Sequence, residues 1–289
     1  MAFEAPAEER LVVRQRPDPA ADRAELIAGL RARPASIAPK YFYDALGSAL
    51  FGAICELPEY YPTRAERAIF TRHRSDIAAA IGTGTVLVDL GAGDCAKAAA
   101  WIPFLAPARY VAVDIAGDAL RAGLARIVHA FPDLDVQGIV EDFSGGLSLH
   151  DDLPAEPVTF FYPGSSIGNF LPEHAARFLA DVRGHCDAPG SGLLIGVDTR
   201  KDTARLEAAY DDRLGVTAAF NRNVLLHVNR LLGCDFDPQA FGHVARYDAR
   251  QGRIEMHLQA LRDVTVRLDG VPRRFDAGER IHTENSYKY

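Results

Sequence analysis

Between residues 85 and 200 the chain alternates short apolar runs with segments of helical period. Val86–Leu90, Tyr110–Asp114, Val136–Val140, Val158–Tyr162 and Leu193–Asp198 read as buried strands. Helical patterns lie between them at about residues 96–105, 117–130 and 172–186. Strands spaced by helices predict an α/β core: a parallel sheet covered on both faces, receiving ligands at the carboxyl ends of its strands. On either side the texture changes. Residues 1–65 carry the aromatic clusters PKYFYDALGSALF and ELPEYYPTR. Residues 203–232 read as one long helix stopped by Gly233, after which Val244–Tyr247, Arg253–Leu261 and Val264–Leu268 alternate in strand fashion. The flanks therefore predict one α+β accessory domain formed from two separated segments, residues 1–65 and 200–286, around a core at 66–199. This domain is expected to cap the open edge of the core.

Composition narrows the class. The 289 residues are 48% hydrophobic and 25% charged, as in a soluble globular protein. A formal charge of −7 argues against non-specific nucleic-acid or anionic-membrane binding, and no apolar run approaches the roughly 18–20 residues of a bilayer span. The N-terminal stretch is acidic and broken by prolines, unlike a secretory signal. Four dispersed cysteines without a CxxC pair predict reduced thiols and a cytoplasmic setting. The nine histidines are scattered without HExxH spacing, so no metal site is expected.

Candidate chemistry starts at TVLVDLGAGDCAKAAAW, residues 85–101, where a strand breaks into a glycine turn and then a helix. Gly91-Ala92-Gly93-Asp94-Cys95-Ala96 matches G-x-G-x-x-G/A, and Asp114 follows at the end of the next strand. This spacing alone fits a nicotinamide cofactor or S-adenosylmethionine (SAM), since both carry a ribose that suits a strand-end carboxylate. The third strand ends in Glu141-Asp142-Phe143, which offers an adenine an acceptor and an aromatic face, and the reading leans to SAM. Lys97 is placed to meet a ligand carboxylate or, equally, to stand solvated on its helix. Cys95 sits at a helix start, where thiol pKa values tend to fall, although a packed bystander is the expected role. The fourth strand ends in PGSSIGNF, whose Gly164 and Gly168 let backbone approach a ligand and whose Asn169 offers an amide to a substrate amine or caps its loop.

Seven segments in series then carry a resemblance. PKYFYDALGSALF, LPEYYPTRAE, VDLGAGDCAK, YPGSSIGNF, AAYDDRLGVTAAFNRNVL, RIEMHL and IHTENSYKY resemble, in order and spacing, the ergothioneine-pathway histidine Nα-methyltransferases, over roughly residues 38–289. The resemblance implies a Rossmann-like SAM-dependent methyltransferase core with an accessory domain, and trimethylation of the α-amine of L-histidine to hercynine. It maps SAM onto Gly91, Gly93, Lys97, Asp114, Asp142 and Phe143. It maps the substrate onto Tyr60, Gly164, Asn169, Tyr210, Met256, Glu284 and Ser286, with Tyr43, Asn169 and Tyr210 as the catalytic set. Tyr60 and Tyr210 would donate to an amino-acid carboxylate, Asn169 would orient the amine, and Glu284 would accept from an imidazole N–H. Each has a structural rival: core aromatics at Tyr60 and Tyr210, an ion pair with arginine at Glu284. Another small amine as substrate and a non-catalytic SAM-binding module remain as alternatives. The expected protein is a monomer acting on a small molecule. In the family, NSYKY leads into a helix and the last strands of the core sheet. Residues 287–289 accordingly read as the start of a return to the core, and the sheet is expected to lack its final strands and expose an edge.

Overall fold

A computed structural model describes residues 12–15 and 18–289. The first part of the chain runs β1 (Val12–Gln15), α1 (Pro19–Arg31), β2 (Ala35–Ser36), α2 (Ala45–Glu56), α3 (Tyr61–Arg72) and α4 (Arg74–Ile81). The middle runs β3 (Val86–Leu90), α5 (Ala96–Ala99), α6 (Ile102–Leu105), β4 (Arg109–Asp114), α7 (Gly117–Ala130), β5 (Asp135–Val140), β6 (Val158–Tyr162), α8 (Pro172–Gly184) and β7 (Gly192–Ile195). The last part runs α9 (Thr203–Ala208), α10 (Val216–Leu232), β8 (Phe241–Asp248), β9 (Arg253–Ala260), β10 (Val264–Leu268), β11 (Val271–Phe275) and β12 (Arg280–Tyr287).

These elements form two compact units. The first comprises the described residues up to 15, Ala65–Ser166 and Phe170–Val197; the second comprises Asp18–Arg64, Ile167–Asn169 and Asp198–Tyr289.

Unit 1 is a six-stranded parallel sheet in the order β1-β5-β4-β3-β6-β7. The chain steps from β3 to β4 to β5 on one side and then to β6 and β7 on the other, so the order reverses at β3. That reversal is where α/β sheets receive ligands. All five residues of β3 and of β6 are buried, which is why these strands read as mostly apolar runs, with Asp89 and Thr159 the polar exceptions, while edge strand β7 is half-buried throughout. Leu87, Tyr110, Ala112, Leu120, Leu124 and Phe161 centre the core. The helix expected over 96–105 is instead two short pieces, because Pro103 has no N–H to continue the ladder.

Unit 2 packs the antiparallel ribbon β8-β9-β12, extended by the two-residue β2, against α10 and α2, with the β10-β11 hairpin beside them. Leu26, Phe42, Phe220, Val224, Leu258 and Ile281 centre its core. The single helix expected over 203–232 is two helices. Gly215 adopts φ +74°, and the Asp212 carboxylate accepts from the N–H groups of Val216 (3.0 Å) and Thr217 (2.7 Å), so α10 starts afresh there. Gly233 ends it at φ +68°, as expected.

The unit boundaries differ from the sequence expectation in three places. Val12–Gln15 pairs with β5 as a strand of unit 1 and is not part of the accessory segment 1–65. Asp198, expected in the last core strand, belongs to unit 2, where Tyr61, Lys201 and Lys288 hold its carboxylate. Residues 287–289, expected outside the accessory segment, lie in unit 2: the Lys288 N–H donates to Gly252 O and the Tyr289 N–H to Asp198 O.

Candidate functional site

The residues expected to hold SAM all lie in unit 1, at the carboxyl ends of parallel strands. The turn after β3 is built by backbone: the N–H groups of Gly91 and Ala92 both donate to Val113 O, at 2.9 and 3.1 Å. Gly91 and Gly93 hold φ of +68° and +54°, a region other residues enter at a cost, and a Cβ on Gly93 would meet nothing within 4 Å. The turn therefore leaves room for a ligand against bare backbone. Asp114, at the end of β4, accepts from the N–H of Gly93 at 2.7 Å and of Ala116 at 2.7 Å. Burial raises its carboxyl above the ordinary value, and these two N–H groups oppose the rise. Past β5, Asp142 accepts from the Ser144 N–H at 2.9 Å, and the Phe143 ring stacks on Phe178 at 5.7 Å. A fixed carboxylate, an open glycine turn and a half-buried aromatic next to a second carboxylate fit an adenosine. Cys95 is fully buried and its thiol is pushed up to about 12 by that burial, so the helix start does not activate it.

Lys97 is paired. Its Nζ lies 2.6 Å from Glu66 Oε2, while Glu66 Oε1 accepts from the Gly164 N–H. Gly164, expected among the substrate residues, thus sits in unit 1 beside Lys97: a Cβ on it would lie 3.1 Å from the Lys97 Nζ. Glu66 escaped sequence reasoning because nothing in its spacing on α3 points to Lys97.

The remaining expected substrate residues all lie in unit 2. Their arrangement depends on a bulge in β12. His282 pairs with His257 and Glu284 with Met256, so Thr283 is an extra residue without a partner across the ladder. In a regular ladder that paired Thr283, Glu284 would share the face of His282. With the bulge, Glu284 and Ser286 stand opposite Met256 and Ile254, on the face that carries the core. Glu284 is 8% exposed, and burial raises its carboxyl to about 7 against the pull of Lys288. The Tyr210 hydroxyl lies 2.7 Å from Ser286 Oγ, and the Tyr60 and Tyr210 rings meet edge to face at 6.1 Å. Burial raises the Tyr60 hydroxyl well above its ordinary value, and Tyr210, Cys55, Glu284 and Tyr43 raise it further, so Tyr60 remains a proton donor. Tyr43 lies one aromatic ring away, edge-on to Phe51, which in turn meets Tyr60. Asn169 ends a short 3₁₀ turn, Ser166–Asn169, whose Gly168 is pressed on β12: a Cβ there would lie 2.9 Å from Tyr287 O and 3.6 Å from Ser286 Oγ. That close approach places Asn169 one residue after the contact of Gly168 with β12.

Lys288 was not anticipated. It is 3% exposed, and its Nζ reaches Tyr210 Oη at 3.0 Å, Ser286 Oγ at 2.9 Å and Asp198 Oδ2 at 3.2 Å. The alternation Glu284, Ser286, Lys288 in ENSYK was the available signal: three polar residues at period two on one strand face.

The glycine turn, the strand-end carboxylate and the order of the parallel sheet define a Rossmann-like, SAM-dependent methyltransferase core. The chain belongs to the family described as histidine-specific methyltransferase, SAM-dependent, whose model matches residues 22–289. Among similar proteins are the histidine N-alpha-methyltransferase of Mycolicibacterium smegmatis, 42% identical over 273 residues (92% of this chain and 84% of that protein), and that of Mycobacterium tuberculosis, 40% identical over 274 residues with the same shares. The ergothioneine biosynthesis protein 1 of Neurospora crassa is 31% identical over 270 residues, covering 89% of this chain and 30% of that protein.

Proposed function

We propose that this chain methylates the α-amine of L-histidine three times, giving hercynine, with the residues of unit 1 holding SAM and those of unit 2 holding the amino acid. The observation that carries the substrate assignment is the buried set Tyr210, Glu284, Ser286 and Lys288 with the partly buried Tyr60, a constellation of donors around one titratable acceptor.

When bound, SAM supplies an activated methyl group on a sulfonium that leaves readily. Asp114 would hold the ribose hydroxyls, Phe143 and Asp142 the adenine, and Lys97 the methionyl carboxylate in exchange for part of its pairing with Glu66. On the amino-acid side, Tyr60 and Tyr210 donate to the carboxylate, and Asn169 orients the amine so that its lone pair points along the line of transfer. Glu284, once ionised, accepts the imidazole N–H. A substrate without that N–H would leave the carboxylate buried and unpaired, which is the basis for choosing histidine over phenylalanine. The α-amine, with an ordinary pKa near ~8, has a neutral fraction at physiological pH, so alignment rather than a strong base carries the chemistry.

The four cysteines, none of them in a disulfide among the described residues, support a reducing, cytoplasmic setting. Incubation with SAM and L-histidine, followed by mass spectrometry, is expected to show mono-, di- and trimethylated product. Phenylalanine methylated as fast as histidine would overturn the substrate assignment, and the absence of any methyl transfer would leave only a SAM-binding module.

A further inference from the structure

A count of protons in the buried cluster around Lys288 gives a result that the site residues named so far do not contain. An ammonium group has three N–H donors and no acceptor. All three are matched by acceptors: Tyr210 Oη, Ser286 Oγ and Asp198 Oδ2. Asp198 is held in turn by the Tyr61 hydroxyl, by Lys201 Nζ and by the Thr199 N–H, so its carboxylate stays fixed behind the lysine. The Tyr210 and Ser286 hydroxyls each receive a bond from Lys288 and lie 2.7 Å apart, so one proton of the two occupies the line between them. The other hydroxyl proton has no place inside this triangle and must point out of it.

We propose that Lys288 is a positioning residue for the histidine site: by taking one lone pair of Tyr210 and one of Ser286, with a third used in the bond between them, it leaves the pair a single spare lone pair and fixes one outward O–H donor toward the substrate. A neutral side chain at 288 would let either hydroxyl turn its lone pairs outward, and the pair would lose its sense. The donor suits an oxygen of the substrate carboxylate or the unprotonated imidazole nitrogen. Glu284 stands on the same strand face as Ser286 and supplies the complementary acceptor.

The charge has a second effect. The titratable groups around Glu284 are Tyr60, ahead of α3, and Lys288, on its own strand; around Lys288 they are Tyr210, after α9, and Asp198, which Tyr61 and Lys201 also face. Burial works against charge on Lys288, but Tyr210 and Asp198 hold its ammonium above the ordinary value, so it is charged throughout the working range. Lys288 lowers the Glu284 carboxyl against burial, and its loss leaves burial unopposed.

This inference rests on the histidine reading above, and the full-length chain tests both. Lys288→Met and Lys288→Arg are compared with the parent for KM and kcat on L-histidine, for SAM affinity by calorimetry, and for kcat/KM against pH. Titration of the substrate's own groups is common to all three proteins and cancels in the comparison. Lys288→Met is expected to raise the histidine KM at least about tenfold, to leave SAM affinity within twofold, and to move the acid limb of kcat/KM upward by about one pH unit. Lys288→Arg is expected to keep the limb within a few tenths of a unit and to recover part of KM. An unmoved limb in a folded Lys288→Met, or equal loss in both variants with the limb in place, overturns the proposal. Should Lys288→Met fail to fold, Lys288→Gln is judged by the same limb. A parent chain that methylates no histidine refutes the histidine reading itself, and is seen before any variant is made.

Discussion

In unit 1 the atoms assigned to SAM are placed by backbone. Gly91 and Ala92 hang on Val113 O, Gly93 and Ala116 hold the Asp114 carboxylate, and the strand β3 ahead of the turn is wholly buried. In unit 2 the atoms assigned to histidine are placed by one another: Tyr210, Ser286, Lys288, Asp198 and Tyr61 form a buried side-chain chain beside Glu284. Each unit also holds a buried acid that titrates near 7. Asp89 in unit 1 is raised to about 7 by burial but accepts a 2.8 Å bond from the Tyr110 hydroxyl, so its partner is part of the fold. Glu284 is raised to about 7 as well by burial, and only the field of Lys288 opposes it. A backbone-built site tolerates sequence change as long as its turn survives. A side-chain-built site answers to each member, because removing one partner leaves another buried and unsatisfied.

The largest effect that would sharpen this contrast is at Asp114. Asp114→Ala removes the acceptor for two ribose hydroxyls and frees the glycine turn, so SAM binding should weaken about 10³-fold while histidine affinity stays within twofold. Calorimetry with each ligand separately checks this. Asn169→Ala should show the reverse pattern, with kcat/KM for histidine reduced about 10²-fold and SAM affinity unchanged. Wild-type kinetics in that variant would remove Asn169 from the clamp.

Stability gives a third measure. In the folded chain Glu284 takes up its proton near pH 7, against an ordinary 4.5, so between these values the folded state binds more protons than the unfolded state. Stability attributable to this group is thus fully present below about pH 4.5, falls as pH rises to about 7, and is level above. The full loss is about 3 kcal/mol. Glu284→Gln should flatten this slope and melt at a higher temperature than the parent at pH 8, as a pH series of thermal melts would show. An unchanged slope would mean that Glu284 is not the buried acid it is taken to be. The smallest effect belongs to unit 1: Tyr110→Phe leaves Asp89 without its donor and should cost about 1–2 kcal/mol of stability in denaturant unfolding, with both ligand affinities unaltered.

The same contrast explains what could be read from the sequence. Strands β3, β4, β5 and β6 announced themselves because burial on both faces demands mostly apolar runs, and the glycine turn because only glycine takes its backbone angles cheaply. β12 gave no such signal. Thr283, Glu284, Asn285, Ser286 and Lys288 are all buried yet polar, so the usual link between hydropathy and burial fails there, and Glu284 and Ser286 came to notice only through the family resemblance. β1 escaped because four residues inside an acidic, proline-flanked stretch carry no usable period. Glu66 escaped because its partners, Lys97 and the Gly164 N–H, are distant in the chain.

The bulge at Thr283 makes this strand sensitive to the length of its partner as well as to lettering. Excising that single residue would leave every pair as it is, whereas one residue inserted opposite it in β9, between Met256 and His257, would pair Thr283 and rotate all that lies on one side of the insertion by half a turn relative to the other. With the C-terminal part held in place, Ile281 would leave the core and His282 would take its position; with the N-terminal part held, Asn285 and Tyr287 would replace Glu284 and Ser286 in the pocket. One inserted residue there would therefore exchange the face that carries Glu284 and Ser286 without altering a letter of β12, a change that a scan of substitutions would never sample.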